Sequence, residues 1–356
     1  MAQPWERMII QTDQGEEKTA IAPLVLSASR ATDIPAFYTR WFMNRLKKGY
    51  IKWENRFNPS APVYISLEKV RVIVFWSKNP LPLLKELPEL ERRNIHFHFQ
   101  YTLNNYEKER FEPNLPSLSQ RIETFKKLSS TIGKEKVIWR FDPLLLTEKL
   151  TIDVLTDRIR QLGDELIPYT DKLVISFADI LTYRNVAGNM IRNNSCFTKE
   201  NIHQSEFTDK EKQIVARRLG ELRTGWKKIN PAFEIGTCAE HIPLEEYGII
   251  HNKCIDDELM IRLFPEDKEL MDFLGYQPGL FDREESRREQ EKKKLKDKNQ
   301  RRLCGCIFSK DIGSYNTCAH HCIYCYANTS RKVVEKNRER LDPETDSLLP
   351  PTQKSF

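Results

Sequence analysis

The sequence predicts an α/β protein whose parallel sheet forms a partial or closed (β/α) barrel. Short apolar runs alternate with helical segments, which is the pattern of βα units on a parallel sheet. Each apolar run ends in polar residues, as barrel strands do at their carboxyl ends, where catalytic groups lie. No glycine-rich dinucleotide fingerprint follows any run, and this favours a barrel over a doubly wound open sheet.

Six apolar runs are predicted strands, because a short continuous apolar run is typical of a strand buried on both faces. The predicted strands are residues 23–29, 72–76, 95–101, 137–141, 173–177 and 233–236. Apolar residues at helical spacing, or capping residues, predict the helices between them. The predicted helices are residues 37–48, 81–92, 117–130, 151–163 and 208–223.

Length and composition set the class of protein. The chain has 356 residues, of which 39% are hydrophobic, enough for one large domain with an extension or for two domains. No apolar run approaches the roughly 18 residues that a membrane span needs, and the first residues lack the apolar core of a signal peptide. We therefore expect a cytoplasmic protein with reduced thiols and no membrane partner. The net charge of +6 permits a polyanionic partner without requiring one.

A cysteine-rich segment near the carboxyl end carries the strongest chemical signal. Cys318, Cys322 and Cys325 follow the spacing C-x3-C-x2-C, which fits one tight loop. Three such thiolates hold three irons of a four-iron four-sulfur cluster and leave the fourth iron open to a small molecule. The same thiolates with His320 or His321 also suit zinc. The spacing alone leaves both alternatives open.

The residues around these cysteines extend the signal. The segment reads Cys-Ala-His-His-Cys-Ile-Tyr-Cys-Tyr-Ala-Asn, with Tyr324 just before the last cysteine. It resembles the signature of the radical S-adenosylmethionine enzymes, and in its longer form the spore photoproduct lyase branch. It also resembles the matching segment of a large bacterial family catalogued only as a domain of unknown function. Segments 29–35, 77–81, 111–121 and 141–143 are similar, in the same order, to further segments of that branch.

One feature departs from the branch, in which the cysteine loop follows the first strand. Here the loop comes after all the other matching segments. We therefore expect a circularly rearranged barrel of radical S-adenosylmethionine type, in which residues 307–313 supply the strand that normally comes first. This arrangement puts the cysteine-rich cluster loop at the same edge as Ser29, Lys78, Asn105 and Asp142.

The resemblance implies a function. The open iron would chelate S-adenosylmethionine, and one electron would cleave it to methionine and a 5′-deoxyadenosyl radical that abstracts hydrogen from a substrate. Such an enzyme needs an electron donor such as a flavodoxin or ferredoxin. The resemblance implies that Tyr324 packs near the adenine. Lys78, Asn79, Asn105 and Arg140 are candidates for binding the methionine carboxylate or ribose. The substrate stays open among nucleic acid, peptide and small molecule.

Four further cysteines form a second candidate set. They are Cys238, Cys254, Cys304 and Cys306, and the glycine between the last two lets the backbone bend close to a cluster. Four thiolates fully ligate a second four-iron four-sulfur cluster or a structural zinc, whereas buried cysteines without a metal behave as small hydrophobes. Cys196 lies in a polar loop and receives no role.

The chain divides by composition into five predicted parts. They are a lead-in or edge hairpin at 1–20, the barrel at 21–280, a charged helix or linker at 281–302, the iron–sulfur segment completing the barrel at 303–330, and a loose tail at 331–356. The charge run at 283–302 is typical of a solvated helix, but it also suits a nucleic-acid contact. The alternative function is therefore a zinc-stabilised nucleic-acid-binding protein. A hydrolase using a metal at His96 and His98 ranks last.

Overall fold

A large parallel sheet organises the protein. The computed structural model describes residues 5–54, 58, 61–276 and 294–349. Within them the strands are β1 (Glu6–Gln11), β2 (Glu17–Ala22), β3 (Val25–Ala28), β4 (Tyr50–Trp53), β5 (Val63–Ser66), β6 (Val72–Ser77), β7 (His96–Thr102), β8 (Val137–Leu144), β9 (Lys172–Phe177), β10 (Glu234–Thr237), β11 (Ile249–His251) and β12 (Lys310–Asp311). Eight of them form the sheet β11-β10-β9-β8-β7-β6-β3-β12, in which every pairing is parallel.

Helices connect these strands. They are α1 (Ile34–Phe37), α2 (Thr39–Lys48), α3 (Leu87–Arg92), α4 (Leu118–Ile132), α5 (Ile152–Leu166), α6 (Arg184–Asn193), α7 (Asp209–Trp226), α8 (Asp257–Leu263), α9 (Lys268–Phe273) and α10 (Arg331–Arg338). The capping box predicted at Thr208 is confirmed, since its side chain accepts from the backbone N–H of Glu211. No helix in the described ranges is long and apolar enough to cross a membrane.

The six predicted strands are all found, in a mixed α/β fold with a parallel sheet. The closed form of the predicted barrel is wrong, because β11 and β12 are the two ends of the sheet and do not pair in the described chain. Irregular backbone spans the gap between them instead: the N–H of Ile307, ahead of β12, donates to the carbonyl of Ile255, beyond β11, at 3.1 Å. The two edges therefore meet through loops.

The strand predicted within 307–313 is confirmed as β12. It pairs in parallel with β3, with Asp311 opposite Ser27. The Asp311 carboxylate accepts hydrogen bonds from the hydroxyls of Ser27 and Ser29 at 2.7 and 2.6 Å, and from the N–H of Arg30 at 2.9 Å. A side chain on Gly313 would put its Cβ 1.9 Å from the Ser29 hydroxyl, so only glycine allows this approach. The cysteine loop thus leaves the sheet beside the end of β3.

The two faces of the sheet are covered by different elements. One face carries large buried aromatics, such as Phe75, Phe99 and Trp139, in the main core. The other carries small apolar residues, such as Val72 and Val74, in a core shared with α8, α9 and the segment around Cys306. The second face is thus covered by the carboxyl-terminal part of the chain.

The predictions for the lead-in at 1–20 and for the tail at 331–356 differ in outcome. Strands β1 and β2 form an antiparallel hairpin that joins β5 and β4 in a four-stranded sheet, so the hairpin form of the lead-in is found, although it runs past residue 20. The prediction of a loose tail is wrong for residues 331–349. The Trp41 indole donates to the carbonyl of Thr345 at 3.0 Å, and Leu348 is buried, because this stretch packs on α2.

Candidate functional site: two cysteine sets

The cysteine loop between β12 and α10 is held by hydrogen bonds to its own backbone carbonyls. The Tyr38 hydroxyl donates to the Thr317 carbonyl at 2.5 Å. The amide of Asn328 donates to the Cys318 carbonyl at 2.8 Å, and the N–H of Cys325 donates to the Cys322 carbonyl at 3.1 Å. The loop is therefore shaped by its own turn and by the helices beside it.

The three thiols of this loop are half-buried and close together. Burial raises the pKa of Cys318 to about 12, and the charge of Cys325 adds to the shift. Burial also raises the pKa of Cys322, with the nearby Lys78 ammonium opposing it, and the pKa of Cys325. Without a metal the site therefore favours three neutral thiols, although each lies within the electrostatic reach of another.

A polar cluster lies beside Cys322. It is built from residues that follow β6 and β7, together with Tyr324 of the cysteine loop. The Lys78 ammonium is 2.6 Å from the Glu112 carboxylate and donates to the Tyr324 hydroxyl at 3.2 Å. The Asn104 amide donates to the same carboxylate at 3.1 Å, and the Tyr324 hydroxyl donates to it as well. We call Lys78, Asn104, Glu112 and Tyr324 the Glu112 cluster. It brings the carboxyl ends of two strands against the cysteine loop.

Charge pairing decides the ionisation of this cluster. Burial raises the pKa of Glu112, but the charges of Lys78 and Arg121 outweigh burial and leave the pKa lowered. Burial lowers the pKa of Lys78, but the charges of Glu112 and Cys322 outweigh it and leave the pKa raised. Lys78 and Glu112 therefore form a buried ion pair next to the thiol of Cys322. The second carboxylate oxygen of Glu112 is buried without a hydrogen-bond partner.

Asp33 fixes the other side of the loop. One of its oxygens accepts from the backbone N–H of Ala36, which caps α1, and from the Ser77 hydroxyl, at 2.9 and 2.8 Å. The other accepts from the backbone N–H of Lys78 and lies 2.7 Å from the His320 imidazole. One carboxylate therefore ties the ends of β3 and β6 to the cysteine loop.

The predicted cofactor-binding residues separate into two places. Lys78 and Tyr324 lie beside Cys322. For Asn79 and Asn105 the hydrogen bonds found are made by the backbone, the N–H of Asn79 and the carbonyl of Asn105. Arg140 lies against the second cysteine set instead. From the sequence, Asn105 was selected instead of its neighbour Asn104, and Asp33 received no role.

The second cysteine set also gathers in one place. The sulfurs of Cys238 and Cys254 are 3.1 Å apart. Hydrogen bonds to neighbouring thiols join Cys254 to Cys306, and the bond from Cys306 lowers the pKa of Cys304 to about 7. The four thiols therefore touch in series, and all four are free of disulfides.

Donor groups surround these sulfurs. The Arg140 guanidinium donates to Cys254 at 3.2 Å and to Cys238 at 3.7 Å. The Asn252 amide donates to the same two sulfurs at 3.4 and 3.2 Å. The backbone N–H of Cys254 donates to the sulfur of Cys306 at 3.2 Å. Gly236 permits the position of Asn252, because a Cβ there would lie 3.0 Å from the Asn252 Cβ.

Polar contacts connect the two sets. Arg140 binds the Asp142 carboxylate at 2.5 Å. The backbone N–H of Asp142 donates to the Asn104 side chain at 2.8 Å, which leads into the Glu112 cluster. Trp76 packs in the core that contains the second set, with the guanidinium carbons of Arg30 and Arg140 at 5.2 and 5.3 Å from its ring centroid. The two sets therefore share one polar interior at the carboxyl edge of the sheet.

The geometry bears on which metal chemistry the residues fit. Across the described ranges, no three or more His, Cys, Asp or Glu donors are grouped so that they could hold a metal ion. A zinc ion needs such convergence, since its ligands all lie about 2.0–2.3 Å from one point. A four-iron cluster does not, because each thiolate binds a different iron. In the metal-free arrangement of the described residues, neither cysteine set is therefore a preformed ion site.

The two histidines of the hydrolase hypothesis do not share one site: His98 lies in the core and His96 is partly exposed. His98 is fully buried, and burial lowers its pKa to about 4. His96 is 2.9 Å from the Asp267 carboxylate. Of the charge run at 283–302, residues 283–293 lie outside the described residues, so its nucleic-acid contact stays a prediction.

Comparison with known proteins gives a family and little more. A family model described as Domain of unknown function (DUF1848) matches residues 25–327, from the start of β3 to two residues past Cys325. No curated protein matches the chain. Among solved structures, a putative alpha-L-fucosidase from Bacteroides thetaiotaomicron is 12% identical, with 59% of this chain and 73% of that chain covered and a TM-score of 0.23. That score supports no argument about fold or function.

Proposed function

The chain belongs to this family of unknown function, and we propose that it is a radical S-adenosylmethionine enzyme. In this proposal Cys318, Cys322 and Cys325 hold a four-iron four-sulfur cluster. The observation that carries it is the position of the cysteine loop. The loop follows β12, which pairs with β3, so it sits at the carboxyl edge where polar groups from successive strand ends meet.

The donor set supports the cluster. Thiolates are the soft ligands that iron–sulfur clusters take, and three of them leave one iron without a protein ligand. When bound and reduced, such a cluster binds S-adenosylmethionine and supplies the electron that cleaves it to methionine and a 5′-deoxyadenosyl radical. The half-buried position of the three thiols leaves this edge accessible to a small molecule.

The residues around the three cysteines orient the loop and offset the negative charge of its thiolates. Lys78 places a positive charge near Cys322, which offsets the negative charge of thiolate ligands. Glu112 anchors the Tyr324 hydroxyl and the Lys78 ammonium, so the ring beside Cys325 is held in one orientation. Asp33 fixes His320 within the loop. These groups hold the loop in shape before any cofactor arrives.

One observation favours the zinc alternative. The Nδ1 atom of His320 is buried without a hydrogen-bond partner, and its Nε2 atom contacts Asp33. A carboxylate on the far nitrogen is the usual support of a zinc-ligating histidine. Against this, the residues that flank the last cysteine, Tyr324, Tyr326 and Asn328, extend the resemblance to the radical S-adenosylmethionine enzymes beyond the metal ligands. We therefore retain zinc as the competing outcome of the test.

The test is cleavage of S-adenosylmethionine. We expect protein reconstituted anaerobically with iron and sulfide, then reduced with dithionite, to form 5′-deoxyadenosine and methionine. Cys322→Ala should reduce the product to the level of the protein-free control, because one ligated iron is lost. Cys196→Ala is the matched control, since Cys196 is exposed, and it should behave as wild type. Equal product from Cys322→Ala and wild type would refute the proposal.

A further inference from the structure

The second cysteine set has features that a group of structural thiols does not need. Its members come from three separate parts of the chain: Cys238 directly follows β10, Cys254 follows β11, and Cys304 and Cys306 precede β12. Chance proximity of four cysteines from such distant segments is unusual. Cys196, by contrast, is exposed and apart from them.

The polar groups around the set point at sulfur. Arg140 and Asn252 each donate to both Cys238 and Cys254. The backbone N–H groups of Cys254 and Ile255 donate to Cys306 at 3.2 and 3.4 Å. A cysteine that serves as a small hydrophobe needs no such donors. Hydrogen bonds to sulfur are what ligating thiolates receive from their surroundings.

The charged residues around the second cysteine set are those expected around a bound anion. Arg140 is only 4% exposed, and burying a guanidinium is costly unless anions pair with it. Asp142 supplies one anion. The rest of the guanidinium is directed to Gln100 and the two sulfurs. Arg30 and Arg140 both lie within 5.3 Å of the Trp76 ring centroid, and one terminal nitrogen of Arg30 is buried without a hydrogen-bond partner.

We infer that Cys238, Cys254, Cys304 and Cys306 bind a second metal centre through four thiolates. The ligand class is a soft, thiophilic centre, either a four-iron four-sulfur cluster or a zinc ion. In the metal-free protein these sulfurs contact one another at distances as short as 3.1 Å and do not converge on one point. Binding therefore replaces the thiol–thiol contacts with metal–thiolate bonds, moves the sulfurs apart around the metal and releases the thiol protons to solvent. Because four thiolates saturate the centre, it binds no substrate. The inference does not depend on the function proposed for the first set.

The position of this centre suggests what it does. The sheet is open between β11 and β12, and the cysteines lie on the loops that cross this gap. A metal held by Cys254 on one side and Cys306 on the other joins the two edges. Metal binding of this kind contributes directly to the free energy of folding. The centre therefore stabilises the contact between the two sheet edges, where β11 and β12 do not pair.

Metal content in variants tests the inference. The triple variant Cys318→Ala/Cys322→Ala/Cys325→Ala removes the first set, and Cys254→Ala/Cys306→Ala removes the second. Each protein is loaded anaerobically in two arms, ferrous iron with sulfide and zinc alone, and then desalted. We expect the triple variant to keep one centre, as about four irons with sulfide or about one zinc. The double variant should lose that centre, and Cys196→Ala should match wild type.

The two arms identify the metal, and X-ray absorption on the loaded triple variant should show a first shell of sulfur alone. A folded triple variant that binds neither metal would overturn the inference, as would a double variant with wild-type metal content. These outcomes are separate from the first proposal, because that proposal concerns only the cysteines that the triple variant lacks.

A measurement on the unmodified chain covers the case in which the double variant does not fold. Native protein is alkylated with iodoacetamide before and after metal loading, and the modified cysteines are mapped by mass spectrometry. We expect loading to protect Cys238 and Cys304, the two half-buried members, at least tenfold, and to leave Cys196 equally reactive. Equal reactivity with and without metal, or a Cys238–Cys254 disulfide in place of bound metal, would contradict the inference.

Discussion

Replacing Glu112 with alanine is expected to destabilise the metal-free protein by about 3–5 kcal/mol, the usual cost of breaking a buried ion pair by removing one partner. The substitution leaves the Lys78 ammonium buried beside Cys322 with no carboxylate 2.6 Å away. It also removes the acceptor for Asn104 and Tyr324. Chemical denaturation at neutral pH measures the change in the free energy of unfolding.

A double-mutant cycle gives this prediction its control. Lys78→Met/Glu112→Leu removes both charges, so it should cost less than the sum of the single changes. Glu165→Ala removes an exposed partner, 3.0 Å from Lys126, and should cost no more than about 1 kcal/mol. Equal, small effects of Glu112→Ala and Glu165→Ala would show that the Glu112 cluster does not hold the site together.

The same pair predicts how stability depends on pH. The pKa of Glu112 is lowered from 4.5, so its contribution is complete above 4.5 and is lost as pH falls through the lowered value. The pKa of Lys78 is raised from 10.5, so its contribution is complete below 10.5 and is lost as pH rises through the raised value. Lys78→Met/Glu112→Leu should therefore flatten both ends of the stability profile.

Asp33→Ala should be about as damaging, with a cost of about 4 kcal/mol. The change leaves the backbone N–H groups of Ala36 and Lys78 without their acceptor, together with the Ser77 hydroxyl and the His320 imidazole. Each hydrogen bond to a charged group contributes about 1.5–3 kcal/mol, although water reaching the site recovers part of the loss. Urea unfolding measures the cost, and iron content after reconstitution should fall because His320 no longer anchors the loop.

Thr151→Ala is the matched control for this result. Thr151 caps α5 by accepting from the N–H of Val154, so its loss should cost about 1 kcal/mol and leave iron content unchanged. If Asp33→Ala had the same small effect as Thr151→Ala, Asp33 would be a helix cap and nothing more.

The sequence predicted the layers of the fold because apolar runs and helical spacing report burial directly. Residues 72–76 and 137–141 are buried on both faces of the sheet, and their strands are found. Strands β4, β5 and β11 were missed because each is only partly buried and therefore lacks the continuous apolar run of the central strands. The tail beyond residue 331 was misjudged because its packing uses backbone carbonyls, such as that of Thr345, which composition does not reveal.

The site was partly predictable for a similar reason. Spacing selected Cys318, Cys322 and Cys325, and four of the remaining cysteines were proposed as a second set. The structure brings the members of the second set together. The sequence pointed to Asn105, whereas in the structure the side chain of its neighbour Asn104 joins the Glu112 cluster, because the strand-end pattern does not say which of two neighbouring amides points inward. Asp33 was missed because its partners, Ser77 and His320, lie far apart in sequence. Arg140 was selected as a polar residue of β8, but its contact with Cys254 was not predictable, because the two residues are far apart in the sequence.

In the proposed function, Cys318, Cys322 and Cys325 hold a cluster with one open iron. Electron paramagnetic resonance of the reduced, reconstituted wild-type protein tests this proposal, with the Cys318→Ala/Cys322→Ala/Cys325→Ala variant, which lacks this set, as the control. We predict a four-iron cluster signal whose g values change when S-adenosylmethionine is added, because the molecule binds the iron that lacks a protein ligand. A spectrum without a cluster signal, or one that S-adenosylmethionine leaves unchanged, would contradict the account.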